Sequence, residues 1–285
     1  MARSTRVYMF CTGFVRIQNC HAGGALRRCS VNSADAGLHS SHGEDDDWGG
    51  VGERVARGLR RYAWTTDGTQ LAWANATQVR VCPTQQCTLD TSRVLLDVDH
   101  GLISALAMQG QQLYGIWANA QQVPDSRPVS RVFAIPLGDA TQFAVLAETL
   151  GTGPLAVSAS GLFWVDAGSP QSDGDLLKPP PTTTWYGASV SMLALDGMSG
   201  VSVLARYDQW FASQAIAADD SAAYWTVGNS GGGSAAIVRG RVGASTDMTE
   251  QLSLLATGAT LGIALDAQYV YWSDVEQGAI LKHAK

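Results

Sequence analysis

The chain has 285 residues, is 46% hydrophobic and carries a formal net charge of −6. Its apolar runs are short, which excludes a membrane-spanning helix. Residues 1–61 carry +3 and the remainder −9, and an acidic body is a poor partner for nucleic acid or anionic membrane.

Taken in chain order, residues 1–52 form a disordered or irregular N-terminal segment, rich in small and polar residues, as in "HAGGALRRCSVNSADAGLHSSHGEDDDWGG". Arg3 and Arg6 ahead of "VYMFCTGFV" read as the remnant of an export signal, interrupted by Arg16, so no export signal is clearly visible. From residue 53 the texture changes. "WTTDGTQLAW" (64–73), "LAMQGQQLYG" (106–115), "LAVSASGLFW" (155–164), "IAADDSAAYW" (216–225) and "IALDAQYVYW" (263–272) share one grammar: an apolar run, a turn, and a second run ending in an aromatic. Their first residues are spaced 42, 49, 61 and 47 apart, a period that marks a repeat architecture.

Each copy predicts two strands joined by a tight turn. Third strands follow at 79–82, 131–135, 191–195, 236–242 and 279–283, and fourth strands at 93–97, 144–148, 202–206 and 253–257. Four strands per unit predicts an all-β fold, a β-propeller of four-stranded blades, with five repeats visible and six or more if the N-terminus is incomplete. The fifth unit stops at Lys285 after its third strand. Residues 53–57 are expected to supply the missing strand, which gives a propeller domain over 53–285. The aromatics of the repeat, Tyr271 and Trp272 among them, are expected to fill the space between blades.

"YVYWSD", "LFWVD" and "AAYWT" resemble the YWTD-type propeller repeat of low-density lipoprotein receptors, and "VRVCPTQQC" and "AILKHAK" are similar to secreted bacterial propeller repeats. The resemblance spans about residues 53–285 and implies a fold and an extracellular or cell-envelope location. It brings no shared activity, and Gly115 departs from it by replacing the aromatic of the second copy.

Cys82 and Cys87 bracket "PTQQ", a span that a hairpin can bridge by a disulfide; a reduced pair in a cytosolic protein is the alternative. Cys11, Cys20 and Cys29 with His21, His39 and His42 match no zinc-site spacing, and Glu44–Trp48 lacks calcium-loop spacing, so no metal is expected. No nucleophile elbow, phosphate loop or H-E-x-x-H occurs. Asp99 beside His100 reads as a polar connector, and "NSGGGS" (229–234) as a hairpin tip; no catalytic residue and no cofactor is expected.

The chemistry concentrates on one loop face. The insertion from Ala167 to Ser189 is far longer than a hairpin needs and carries Trp185 and Tyr186 after a triple proline. The connector 207–213 on the same side brings Tyr207, Trp210 and Phe211. These five aromatics are expected to form a recognition patch for a protein or glycan. The expected function is therefore a non-catalytic, monomeric binding propeller. The alternative is a lyase- or lactonase-type propeller enzyme acting in the central channel.

Overall fold

The computed structural model describes residues 63–75, 77–118, 130–149, 153–166, 188–196, 199–207, 213, 215–228, 235–244, 246, 248–255, 262–274 and 278–285, together with strands at 8–10, 14–20, 27–31, 169–170 and 185–186. Four sheets are antiparallel meanders: Trp64–Thr66, Gln70–Asn75, Gln78–Pro83 and Arg93–Asp97; Leu102–Gln109, Gln112–Ala118, Ser130–Pro136 and Ala144–Thr149; Leu155–Ser158, Gly161–Asp166, Ala188–Ala194 and Val201–Tyr207; Ile216–Ala218, Ala222–Val227, Ala235–Arg241 and Thr249–Leu255. A fifth contains Ile263–Leu265, Tyr269–Asp274 and Ala279–Ala284. Thr65, Leu106, Leu155, Ile216 and Leu265, one from the innermost strand of each sheet, line a single axial cavity. The fold is a β-propeller with five blades described.

The fourth place in the last blade is held by Arg27–Val31, with Ile280 opposite Cys29. Phe14–Cys20 and Tyr8–Phe10 add further strands outside it. Residues 53–57, expected at this place, lie outside the described residues.

The repeat motif is a register. Trp64 opposes Trp73, Leu106 opposes Gly115, Leu155 opposes Trp164, Ile216 opposes Trp225 and Ile263 opposes Trp272. The nine-residue offset is the closing distance of the first hairpin of every blade. Successive residues on a strand point to opposite faces, so an aromatic pair such as Tyr-Trp serves two interfaces. Tyr114 of blade two shares a core with Trp164 of blade three, Phe163 with Trp225 of blade four, and Tyr224 with Trp272 of blade five.

Blade two lacks its tryptophan because another ring fills the slot. A Cβ on Gly115 would lie 2.3 Å from Cζ of Phe133, which stands opposite it on the third strand and is fully buried. In blade four the corresponding partner of Trp225 is the smaller Val238.

The outer strands carry a second rule. Pairing of the third and fourth strands slips at the same step in four blades, leaving Leu95, Leu146, Leu204 and Leu252 as the extra residue of a bulge. Such an insertion bends the strand and re-aims its side chain. Each of these leucines packs into an inter-blade core, while Val94 and Val145 just before two of them stay exposed. The bulge also breaks the flat outer edge on which another chain could pair.

A third rule holds the turns between first and second strands. Asp67, Asp219 and Asp266 stand three residues after their anchors. Each Oδ1 accepts backbone N–H groups two and three residues on, at 2.7–3.0 Å. Ser158 holds this place in blade three, its Oγ accepting from Ser160 N.

Candidate functional site

In a meander blade, the loop between strands two and three emerges on the same face as the connector to the next blade. On that face blade three is extended. Its central hairpin ends in the blade with Asp166 opposite Ser189, then resumes in the same register with Ser169 opposite Tyr186 and Pro170 opposite Trp185. Trp185 and Tyr186 thus pair with Pro170 and Ser169 in a separate two-stranded ladder that keeps the register of the blade-three hairpin.

Tyr207 is the last residue of the outer strand of the same blade and stands opposite Ala188, two residues from Tyr186. Its ring is half-buried against the core between blades three and four, and its hydroxyl accepts a 2.9 Å hydrogen bond from Trp225 Nε1. It therefore braces two blades as well as ending at the face. Trp210 and Phe211 lie outside the described residues. The geometry brings the Trp185–Tyr186 backbone and Tyr207 to one end of blade three.

Buried polar residues at the ends of second strands were missed by the sequence reasoning. Asp166 and Asp274 occupy equivalent places two residues after Trp164 and Trp272, and both are buried. Thr149, the last residue of the outer strand of blade two, donates to Asp166 Oδ2 at 3.3 Å across the blade boundary. The acid closing "YWSD" is therefore a buried rim residue. Its repetition after an aromatic was the available signal.

The axial cavity, the seat of the alternative enzymatic reading, has a volume of about 330 Å³. Leu106, Met108, Leu155, Val157, Ile216 and Leu265 line it, with Thr65 and small alanines between them. Among the described residues that line it, none has a side chain able to take or give a proton near neutral pH. His100 and Asp99 lie exposed in the connector between blades one and two, where the His100 carbonyl accepts from Trp117 Nε1 at 2.7 Å. Among the described residues, no group of three or more His, Cys, Asp or Glu side chains gathers as a metal site.

On the turn face, Lys285 Nζ contacts Asp219 Oδ2 at 2.6 Å and ties blade five to blade four. Burial pushes the Asp219 carboxyl up, but the Lys285 ammonium and the Ser221 donors outweigh it and hold the pKa at about 2. Cys82 and Cys87 are disulfide-bonded with a Cα separation of 5.3 Å, and pack with Trp73 on one face of blade one.

No protein-family model and no curated protein matches the chain. Among solved structures it is similar to a propeller chain of a nidogen/laminin complex, at 13% identity over 78% of this chain and 75% of that one, with a TM-score of 0.52. It is also similar to the tricorn protease, at 11% identity over 97% of this chain and 29% of that one, TM-score 0.50. A puromycin-hydrolyzing peptidase of Mycobacterium tuberculosis matches at 13% identity over 82% of this chain and 38% of that one, TM-score 0.50. The chain thus spans well under half the length of either peptidase. At such identities the likeness is one of fold.

Proposed function

We propose that this propeller is a non-catalytic binding scaffold, extracellular or envelope-associated and monomeric, which engages a protein or glycan through the loop face of blades three and four. The observation that carries this reading is the blade-three hairpin, whose register resumes beyond Asp166 in the pairing of Ser169 with Tyr186 and of Pro170 with Trp185. Rings held on paired backbone lose little conformational entropy on binding, which favours them as recognition anchors. Trp210 and Phe211 complete the patch in this proposal. The nidogen/laminin neighbour, a propeller chain in a protein–protein complex, supports a protein partner, and the Cys82–Cys87 bond agrees with an oxidising location. The aliphatic axial wall favours this reading over channel catalysis.

Binding to a glycan array and to immobilised laminin, measured for the wild type and for a Trp185→Ala/Tyr186→Ala variant, tests it. The reading expects a bound ligand for the wild type, a loss of at least tenfold in affinity for the variant, and an unchanged thermal midpoint. A variant that keeps full affinity, or a wild type that binds neither probe set, counts against it.

A further inference from the structure

Cys20 and Cys29 are direct Cα partners in the antiparallel pair formed by Phe14–Cys20 and Arg27–Val31. Opposed residues in such a pair have Cα atoms about 4.5 or 5.5 Å apart, depending on the pair type. A disulfide spans Cα separations of about 4.4–6.8 Å, a range that includes both types, and the pairing register shifts between Ile17 and Cys20 just before this pair. The bond already formed in this chain, Cys82–Cys87, has 5.3 Å. A compartment that keeps that bond oxidised also oxidises an opposed cysteine pair. The position in the fold gives the pair a consequence. Cys29 also opposes Ile280 on the third strand of the fifth blade, and Ile280 opposes Ser273. One register row thus runs from the second strand of that blade through Cys29 to Cys20.

We propose that Cys20 and Cys29 form a second disulfide, which locks the 14–20/27–31 hairpin as a unit on the outer edge of the fifth blade. One thiolate attacks a disulfide oxidant, of the glutathione or dithiol–disulfide protein class, and forms a mixed disulfide; the other then displaces the oxidant's remaining sulfur. Two thiols lose two protons and two electrons, and the oxidant leaves as two thiols. Only eight residues, "HAGGALRR", separate the partners in sequence. Cys11 stays a free thiol in this scheme.

Peptide mapping of the unmodified protein tests this. The full chain is equilibrated in a glutathione redox buffer that leaves Cys82–Cys87 intact, alkylated in denaturant without reduction, and cut with trypsin. Cleavage at arginine puts Cys11 in peptide 7–16, Cys20 in 17–27, Cys29 in 29–54, and both Cys82 and Cys87 in 81–93. The expected result is peptide 17–27 covalently joined to 29–54, released by reductant, with 7–16 alkylated and 81–93 lighter by two hydrogens. Alkylated 17–27 and 29–54 beside an intact 81–93 bond overturns the proposal. So does a link from either peptide to 7–16.

Discussion

At the residue scale, Gly115 and Phe133 form one unit. The other four blades place a tryptophan where Gly115 stands, and the Phe133 ring occupies that volume instead. A fully buried ring cannot swing aside cheaply. Gly115→Ala is therefore expected to destabilise by about 1–3 kcal/mol, the usual cost of overpacking. Gly115→Trp combined with Phe133→Val, which copies the Trp225–Val238 pair of blade four, is expected to be far milder than Gly115→Trp alone. A urea-denaturation double-mutant cycle reads the coupling, and additive effects would mean that the ring does not fill the slot. Sequence reading could see that the second motif was degenerate. It could not see the compensation, because Phe133 lies on a different strand and meets Gly115 only in the folded register.

At the element scale, the first hairpins were legible and the outer edges less so. Nine-residue spacing with apolar anchors marks the register of every first hairpin, because its second strand is largely buried and a slip would expose a whole row. Outer strands face solvent, and there the apolar signal fades. In blade four the reading began at residue 253, whereas the strand starts at Thr249, because Glu250 and Gln251 are exposed polar edge residues and Glu250 pairs with Arg239. Arg27–Val31 escaped notice for a related reason: it carries no copy of the motif. The Asp turns were visible as turns, but not as carboxylates with depressed pKa. For Asp67, Asp219 and Asp266, burial raises the pKa and is outweighed by donors: backbone N–H groups at all three, the Lys285 ammonium at Asp219, and the Tyr271 hydroxyl at Asp266. Each is held below its unfolded value of about 3.9. Their stabilisation is therefore present above about pH 4 and lost as pH falls through each lowered folded pKa, about 2 for Asp219. The urea midpoint is expected to drop over that window. Asp219→Asn should start lower at pH 7 and lose less between pH 4 and 2, because the charge pairing with Lys285 is already gone. Parallel curves for the two proteins would show that this carboxylate does not contribute.

At the scale of the whole molecule, the repeat aromatics pack the blades together, and the proposed function gives the loop-face aromatics a different role. Trp164, Trp225 and Trp272 are buried between blades, where the repeat could be read directly from period and spacing. The loop-face set was found by topology, which says where a loop emerges but not how its rings settle. Tyr207 illustrates the limit. It ends the outer strand of blade three, and its hydrogen bond from Trp225 depends on a neighbouring blade that no local pattern encodes. Trp272 packs between blades, the proposed function places Trp210 in recognition, and a single comparison of thermal midpoints separates those roles. Trp272→Ala removes a fully buried ring, which costs about 3–5 kcal/mol, or about 10 °C in a domain of this size. The proposed recognition role for Trp210 expects Trp210→Ala to leave the midpoint within about 1 °C of the wild type, as surface substitutions do at about 0.5 kcal/mol or less. Equal losses in the two variants would make Trp210 part of the packing and contradict the assignment of this face to binding.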